Sequence, residues 1–275
     1  GKFLGDLGYL LFLRHRKIGL QNLRLAYGDT LSDTEREQIL RKVFHNLGQT
    51  AIEFAQIPSL TYERAAALIT VENRVRLDEC LKRGKGVVLV GSHFGNWELM
   101  AAAGALAGYP ISAVAKPMKF WDEIVKEVRE SSGLKIITRD RSALAIVKRL
   151  KRNEIVGILA DQNARSQNVF VDFFGVKASS TVGPALLALK TGAALVPAFM
   201  VRNGAGGHRL IIEEPVEITP SGDTEADALA VTQKYAAVLE RYVRRYPSQW
   251  LWLHRRWRKR PPGEVGVGYG VRSTH

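Results

Sequence analysis

Short apolar runs alternate with stretches of helical periodicity through the middle of this chain. The apolar runs lie at 87–90, 111–115, 134–138, 155–160 and 194–201. Apolar residues recur at helical spacing in the intervening stretches 97–107, 120–131, 141–152 and 182–191. This alternation predicts an α/β fold, in which helices flank a central, mostly parallel or mixed sheet.

The N-terminal residues favour helix. Residues 18–58 carry apolar positions at helical spacing, and Ser32-Asp33-Thr34-Glu35 has the pattern of a capping box. A second helix is predicted over 72–84, where Gly84 ends it. We therefore expect a helical segment over 1–58 that packs on the sheet.

The C-terminal part of the chain predicts a strand, a helix and a tail. Residues 209–218 favour an edge strand, and 226–245 favour a long helix. The tail at 261–275 is rich in Gly and Pro and is expected to be loose. No repeat or convincing linker interrupts the sequence, so residues 1–275 are predicted to form a single domain.

The charge balance favours an anionic partner. The chain has 40 Lys and Arg against 27 Asp and Glu, a formal net charge of +13. Nucleic acid, anionic lipid and an acidic protein all fit such a surface. The single cysteine, Cys80, lies in a predicted surface helix and excludes an intrachain disulfide or a cysteine metal cluster.

An apolar run near the start bears on membranes. No stretch of 18 or more apolar residues occurs, so no transmembrane helix is predicted within this chain. Residues 7–13 are apolar and precede Arg14, which fits an interfacial anchor or the end of a longer hydrophobic segment. Because the chain opens with Gly1 rather than Met, a truncation upstream of it is expected.

The motif with the clearest chemistry is His93-Phe94-Gly95-Asn96-Trp97-Glu98, between a predicted strand and a predicted helix. A histidine at a strand end can take a proton from a hydroxyl, and a nearby carboxylate can orient it and stabilise the imidazolium. The spacing places His93 in the loop and Glu98 on the first helical turn. A capped helix start with a satisfied histidine fits these residues equally well.

Three more strands end in polar residues, where α/β sheets place their active sites. Lys116 follows one strand and can hold a phosphate, although a solvated lysine has the same pattern. Asp161 follows the next and is either a functional acid or a turn cap. Arg202 follows a third and is either an anion clamp or a surface charge.

Two further segments have mixed interpretations. Residues 170–184 contain three phenylalanines, which fit either the lining of a groove for an apolar chain or a packed core. In the same segment, Ser179-Ser180-Thr181 predicts a helix start, whose free N–H groups could bind an oxyanion. Residues 249–260 combine three of the five tryptophans with basic residues. That composition suits a membrane interface, nucleic-acid stacking, or tryptophans that close the core.

Taken in order, these segments resemble the lipid A biosynthesis acyltransferase family, the late lauroyl and myristoyl transferases of Gram-negative bacteria. The resemblance runs from about Arg16 to Arg260. It is carried by residues 17–27, the His93 to Glu98 motif, Asp161-Gln162-Asn163, Val171-Asp172-Phe173-Phe174-Gly175 with Ser180-Thr181, residues 195–199, and Gln249-Trp250-Leu251-Trp252.

The resemblance implies an enzyme on the cytoplasmic face of the inner membrane, with an N-terminal membrane helix that is expected to have been truncated from this sequence. Such an enzyme moves an acyl chain from acyl carrier protein to a hydroxyl of an anionic glycolipid, a lipid A precursor, and uses neither a metal nor another cofactor. Nucleic acid is not an expected partner. The family pattern has an arginine where this chain has Lys116, which keeps the charge but loses bidentate geometry.

The expected site follows from the motifs and the resemblance together. His93, Glu98 and Asp161 are the expected catalytic residues. The residues expected to bind substrate are Asn96, Lys116, Arg165, Thr181 and Arg202. Direct transfer without an acyl-enzyme is expected, since no Gly-x-Ser-x-Gly motif occurs.

Two rival functions remain open at this point. The first is a glycerolipid or amino-acid-lipid acyltransferase that uses acyl-CoA or acyl carrier protein. The second is a basic membrane- or nucleic-acid-binding protein built on residues 250–260, in which His93 and Glu98 would be dispensable.

Overall fold

The computed structural model describes residues 1–117, 121–138, 142–204, 206–264, 266 and 269. The described residues form ten α-helices and nine strands. The helices are α1 Lys2–Leu11, α2 Leu13–Tyr27, α3 Asp33–Gln56, α4 Tyr62–Leu68, α5 Arg74–Lys82, α6 Trp97–Leu106, α7 Asp122–Glu130, α8 Ser142–Leu150, α9 Gly183–Thr191 and α10 Thr224–Arg245. The strands are β1 Ile69–Glu72, β2 Val87–Gly91, β3 Ile111–Ala115, β4 Lys135–Thr138, β5 Ile155–Leu159, β6 Asn168–Phe173, β7 Val176–Thr181, β8 Ala194–Arg202 and β9 His208–Ile212.

The chain divides into two compact units. Unit 1 comprises Gly1–Gln49, Asp161–Gly183 and Leu229–His275, and unit 2 comprises Thr50–Ala160 and Pro184–Ala228. The single domain expected over 1–275 stays a prediction. The predicted helix starts at 120 and 141, and most of the tail beyond residue 264, lie outside the described residues.

Unit 2 contains the sheet that the sequence predicts. Its seven strands follow the order β1-β9-β8-β2-β5-β3-β4. The five strands from β8 to β4 are mutually parallel, whereas β9 runs antiparallel to β8 and β1 runs parallel to β9. The predicted α/β fold with a mostly parallel, mixed sheet is therefore confirmed. The carboxyl ends of the five parallel strands meet at one edge, where polar loops can gather.

The predicted edge strand is an interior strand. β9 pairs with β8 on one side and with β1 on the other, so β1 forms the edge. The sequence did not predict β1 or α4, because four and seven residues are too short for a clear periodicity. The helix predicted over 72–84 is α5, which begins at Arg74 and ends at Lys82.

Unit 1 carries the predicted N-terminal helices. At the start of α3, the Ser32 Oγ accepts a hydrogen bond from the Glu35 N–H at 3.2 Å, and the Glu35 carboxylate accepts one from the Ser32 N–H at 2.7 Å. These reciprocal bonds confirm the capping box. Tyr9 of α1 packs edge-on against Phe44 of α3, with ring centroids 5.5 Å apart.

The phenylalanine-rich segment of unit 1 folds as a β-hairpin. β6 and β7 pair antiparallel from Asn168 opposite Thr181 to Phe173 opposite Val176. Phe174 and Gly175 form the two-residue turn with φ of 57° and 71°, the left-handed conformation that tight hairpin turns require. Phenylalanine is an unusual residue at such a position, so the sequence did not predict the turn.

Five aromatic residues of unit 1 form a solid core that we call the aromatic cluster: Phe173, Phe174, Trp250, Trp252 and Trp257. All five are buried. The closest pair, Trp250 and Trp252, has ring centroids 4.7 Å apart in an edge-to-face arrangement. Of the three interpretations of the C-terminal tryptophans, the one in which they close the core is confirmed. Phe173 and Phe174 belong to the same core.

The tail is anchored at Tyr269, where a loose segment was expected. Tyr269 is buried, and its hydroxyl donates to the Asn22 Oδ1 at 2.9 Å and accepts from the Trp257 N–H at 3.1 Å. The buried ring and the two hydrogen bonds of its hydroxyl hold Tyr269 against Asn22 and Trp257 of the same unit.

Within the described ranges, none of the helices combines the length and the apolar composition needed to cross a bilayer. Helix α1 nevertheless leaves apolar residues exposed. Phe3, Leu10 and Leu11 are 77%, 64% and 65% exposed.

Candidate active site

The predicted HxxxxE motif lies at the carboxyl end of the central strand β2. All five residues of β2 are buried. The chain leaves the sheet at Ser92, places a half-buried His93 in the loop and enters α6 at Trp97, so that Glu98 is the second residue of the helix. The predicted arrangement of loop histidine and helix glutamate is confirmed.

The loop Ser92–Asn96 is held to the sheet by its two middle residues. Phe94 is buried and packs edge-on against Phe199 of β8, with ring centroids 5.9 Å apart. Gly95 forms a parallel bridge with Met200, the next residue of β8. Gly95 has φ of 57°, a left-handed conformation that favours glycine. His93 therefore projects from a loop whose backbone is fixed by β8.

Asn96 ends the loop and caps α6. Its Oδ1 accepts a hydrogen bond from the Leu99 N–H at 2.9 Å, and its Nδ2 donates to the Glu53 Oε2 at 2.6 Å. Asn96 is fully buried. The side chain that was expected to bind substrate is thus used, in this structure, to join α6 to Glu53 of α3.

Glu98 is held by an arginine that the sequence did not single out. The Arg129 Nε donates to one carboxylate oxygen of Glu98 at 2.8 Å, and the Arg129 Nη2 donates to the other at 2.6 Å. This bidentate geometry is the strongest form of an arginine–carboxylate pair. The hydrogen bond to Glu98 also raises the pKa of Arg129. Glu98 is therefore a fixed carboxylate beside a fixed positive charge.

Trp97 connects the two residues of the motif. Its indole Nε1 donates to the Glu98 Oε1 at 3.1 Å. Its ring lies edge-on to the His93 imidazole, with centroids 5.0 Å apart. The imidazole and the carboxylate thus share one neighbour that limits how each can turn.

An apolar cavity of about 160 Å³ lies beside α6 in unit 2. Helix α6 contributes Met100, Ala103 and Gly104, which share one helix face, and Ala107 is the C-cap residue that follows the helix. Strand residues such as Leu89 line the opposite side. Because α6 rises about 1.5 Å per residue, the lined face extends for roughly 10 Å from the turn that carries Glu98.

Polar residues stand at the far end of this cavity, after the last turn of α6. The Arg74 Nε donates to the Tyr109 hydroxyl at 2.8 Å, and that hydroxyl donates to the Asp78 Oδ1 at 2.5 Å. Arg74 and Tyr109 both line the cavity. The cavity is therefore apolar along α6 and polar at the end away from His93.

Two other predicted substrate-binding residues belong to unit 2. Lys116 is exposed and follows the end of β3, at the same edge of the sheet as His93. Arg202 is nearly buried, and both of its terminal nitrogens bind the Glu53 carboxylate, Nη2 at 2.9 Å. Lys116 is thus available to a ligand from solvent, whereas Arg202 serves an internal carboxylate.

Asp161 follows β5 as predicted and begins the second of the three chain segments that make up unit 1. It is buried, and its Oδ2 accepts a hydrogen bond from the Trp250 Nε1 at 2.9 Å. Arg256 is fully enclosed nearby. Burial lowers the pKa of the Arg256 guanidinium to about 10, although the charge of Asp161 acts in the opposite direction. The aromatic cluster thus encloses an acid and a base, and each moderates the cost of burying the other.

Arg165 and Thr181 also belong to unit 1. Arg165 is exposed, and its carbonyl accepts from the Lys259 Nζ at 3.4 Å. The Thr181 Oγ1 accepts from the Gly183 N–H at 3.3 Å, and the Val182 N–H donates to the Gln167 carbonyl at 3.1 Å. The N–H groups considered for an oxyanion at this helix start are therefore engaged in internal hydrogen bonds.

The sequence missed Glu53 and Arg129. Both lie on amphipathic helices in which a charged residue is usually solvated. No sequence spacing links Arg129 to Glu98, 31 positions away, or Glu53 to Arg202, 149 positions away.

The prediction that Cys80 lies on a surface helix is wrong, because Cys80 is buried on α5. Burial raises the pKa of its thiol.

Comparison with known proteins gives a consistent set of matches. The profile of the family described as bacterial lipid A biosynthesis acyltransferase matches residues 1–259. The chain is 29% identical over 272 residues to the lipid A biosynthesis palmitoleoyltransferase of Escherichia coli strain K12, covering 97% of this chain and 86% of that protein. It is 29% identical over 267 residues to the lipid A biosynthesis lauroyltransferase of the same strain, covering 94% and 84%. It is 30% identical over 246 residues to a phosphatidylinositol mannoside acyltransferase of Mycolicibacterium smegmatis, covering 86% and 78%.

Proposed function

The chain belongs to the bacterial lipid A biosynthesis acyltransferase family, and we propose that it moves a fatty acyl chain from acyl carrier protein to a hydroxyl of a lipid A precursor or related glycolipid. The observation that carries this proposal is the position of the HxxxxE loop. It lies at the start of α6, the helix whose next turns line the apolar cavity.

His93 is the proposed general base. It takes the proton from the acceptor hydroxyl as the hydroxyl oxygen attacks the thioester carbonyl. The tetrahedral intermediate then collapses, the carbon–sulfur bond breaks, and the imidazolium returns its proton to the leaving thiolate. A half-buried imidazole in a loop anchored by Phe94 and Gly95 suits this role, because the base must keep its orientation through both transfers.

Glu98 is proposed to orient His93 and to offset the charge of the imidazolium. The bidentate bond to Arg129 supports this role, because it holds the carboxylate in a fixed orientation. Arg129 adds a positive charge beside the motif, which suits either the developing oxyanion or an acceptor phosphate.

Asp161 is assigned to the catalytic set by the resemblance. The variant Asp161→Asn should retain the hydrogen bond from the Trp250 Nε1 while removing the negative charge.

Direct transfer without an acyl-enzyme is proposed for this site. The one cysteine is buried and its thiol pKa is raised, so little thiolate forms near neutral pH. No nucleophile elbow occurs in the sequence. The acyl chain then needs a place to lie while its thioester is attacked, and the apolar cavity along α6 has the right surface.

The charges of the chain suit the proposed partners. Acyl carrier protein and a phosphorylated glycolipid are acidic, and the net charge of +13 attracts both. Lys116 is exposed at the edge of the sheet that carries His93, where an acceptor phosphate would be held. Arg165 is likewise exposed and remains a proposed phosphate contact.

Membrane association is proposed through α1. Its exposed Phe3, Leu10 and Leu11 precede the basic residues Arg14 and Lys17. Apolar side chains next to cations bind an anionic lipid surface. The inner membrane is the proposed location, with the site on its cytoplasmic face. Flotation with anionic vesicles should be lost when Phe3, Leu10 and Leu11 are changed to Ser.

The decisive test of the proposed function is His93→Ala. Transfer from lauroyl-acyl carrier protein to a lipid A precursor should fall by about 10²- to 10⁴-fold, because a general base contributes that much. His15→Ala, at an exposed histidine, is the matched control and should retain activity. If folded His93→Ala transfers acyl chains at the wild-type rate, the proposed base is wrong.

A second candidate acceptor follows from the match to the phosphatidylinositol mannoside acyltransferase of Mycolicibacterium smegmatis. Assays should therefore pair two donors, acyl carrier protein and acyl-CoA thioesters, with three acceptors, a lipid A precursor, a phosphatidylinositol mannoside and a lysophospholipid. Transfer to the lipid A precursor alone would support the first proposal. Transfer only to a lysophospholipid would replace it with a glycerolipid acyltransferase.

A further inference from the structure

A largely buried ionic network connects the end of α3 to the end of β8 in unit 2. Thr50 and Glu53 lie three residues apart and so share one face of α3. Arg202 is the last residue of β8, and it stands opposite His208, the first residue of β9. The His208 Nε2 lies 3.5 Å from the Glu53 Oε1.

The Glu53 carboxylate is the centre of this network. One oxygen accepts from the Asn96 Nδ2 at 2.6 Å and from the Arg202 Nη2 at 2.9 Å. The other accepts from the Arg202 Nη1 and faces His208. Burial acts to raise the pKa of Glu53, but the hydrogen bonds from His208, Arg202 and Asn96 outweigh it and hold the pKa at about 2. Glu53 is therefore ionised near neutral pH.

This network reaches the loop Ser92–Asn96 at two points. Asn96 receives its fixed rotamer from Glu53 and uses the same amide group to cap α6. The Thr50 hydroxyl donates to the Gly95 carbonyl at 3.4 Å and accepts from the Arg202 Nη2 at 3.3 Å. Residues of α3 thus hold Gly95 and Asn96, the two residues before α6, and His93 lies two positions before Gly95.

We propose that Glu53 is a positioning residue that, through Asn96 and Arg202, fixes the loop carrying His93 and so sets the orientation of the catalytic imidazole. This inference rests on the proposed function. A catalytic group must be held within a fraction of an ångström of its productive position, and hydrogen bonds beyond the reacting groups supply that constraint. Arg202 then contributes to the site indirectly, because it binds and orients the Glu53 carboxylate.

Three variants separate positioning from folding. Asn96→Ser retains an N-cap side chain for α6 but is too short to reach Glu53. Thr50→Val removes the hydroxyl that contacts Gly95 and changes no charge. Glu53→Gln removes the charge that Arg202 binds. The matched control is Glu72→Gln, because Glu72 pairs with Arg209 at 3.2 Å in the same unit at a partly exposed site.

Two readouts are needed. The first is steady-state transfer with lauroyl-acyl carrier protein: Asn96→Ser and Glu53→Gln should lower kcat by about 10- to 100-fold and leave KM for the donor within about 2-fold. The second is the NMR titration of His93 with nitrogen-labelled histidine. The chemical shifts and the apparent pKa of His93 should change in both variants and in Thr50→Val, but not in Glu72→Gln.

The outcomes distinguish this inference from the proposed function. If folded Asn96→Ser and Thr50→Val keep the wild-type kcat and the wild-type His93 titration, the positioning role is overturned. If the wild-type protein transfers no acyl chain to any acceptor, the proposed function fails, and the His93 titration alone then decides the positioning role. A Glu53→Gln protein that loses only thermal stability, with kcat and the His93 signals unchanged, assigns the network to folding and also overturns the inference.

Discussion

The aromatic cluster of unit 1 and the α6 cavity of unit 2 are both apolar, but one is solid and the other is hollow. In the cluster, large rings such as Trp252 and Phe173 fill the space they enclose. Along the cavity, the small residues Ala103 and Gly104 of α6, and Ala107 directly after it, leave about 160 Å³ unfilled.

The difference shows that hydrophobicity alone does not identify a binding site. The phenylalanine-rich segment 170–184 suited a groove because it is unusually aromatic, yet Phe173 and Phe174 lie in a packed core. A cavity requires small residues on one wall and a frame that cannot collapse onto them, which here is the sheet. The two regions should therefore respond in opposite ways to a change of side-chain volume.

The largest expected effect is on the solid region. Trp252→Ala should lower the free energy of unfolding by about 3–5 kcal/mol, because the fully buried indole leaves a cavity that the cluster cannot close. Trp121→Ala is the control, since Trp121 is 61% exposed and its truncation should change stability by less than about 0.5 kcal/mol. Urea unfolding of both variants measures the contrast. Equal stability of the two variants would contradict a solid cluster.

The next effect concerns the polar group that the cluster encloses. Trp250→Phe keeps most of the ring volume but removes the indole N–H, which donates a hydrogen bond to the Asp161 carboxylate. We expect a loss of about 2–3 kcal/mol, since a buried carboxylate oxygen loses a charge-assisted bond. Thermal and urea unfolding measure it. A loss as small as that of an exposed substitution would mean that Asp161 does not depend on Trp250.

A smaller effect, which depends on pH, is expected at Glu53. Its pKa of about 2 in the folded protein lies below the ordinary value of 4.5. The ionised carboxylate therefore adds stability that is fully present above about pH 4.5 and is lost as the pH falls towards 2. Because Glu53 is partly exposed, we expect roughly 2 kcal/mol.

The measurement is the difference in unfolding free energy between the wild type and Glu53→Gln at pH 7, 5 and 3. That difference should shrink below about pH 4.5. Glu72→Gln, at the partly exposed pair with Arg209, should stay within about 1 kcal/mol of the wild type throughout. A difference for Glu53→Gln that is constant from pH 7 to pH 3 would contradict the lowered pKa.

The smallest effect on stability is expected in the hollow region. Gly104→Leu should change the unfolding free energy by no more than about 1 kcal/mol, because the helix gains a better helix former and the new side chain enters open space. A Cβ at Gly104 would come no closer than 3.5 Å to the side chain of Ile111. On the proposed function, the enzyme should then prefer shorter acyl donors. Competition between donors of different length measures this, and an unchanged preference would place the acyl chain elsewhere.

Local periodicity decided how much of the fold could be predicted. The strand at 111–115 and the helix near 183–191 were found within a residue or two, because their apolar patterns are complete in themselves. The capping box at Ser32 was found for the same reason. The hairpin β6-β7 was missed, because its turn at Phe174 and Gly175 has no standard turn sequence. The short strand β1 carries too few residues to show a period.

The sequence by itself determined the α/β alternation, the loop position of His93, the helical position of Glu98 and the family resemblance, because each depends on residues close together in the chain. Tertiary structure alone decided that Arg129 holds Glu98, that Glu53 joins Asn96 to Arg202, and that α6 faces an open cavity. These contacts link positions tens to more than a hundred residues apart. The packing of helices on the sheet brings these distant residues together, and no local sequence pattern encodes that packing.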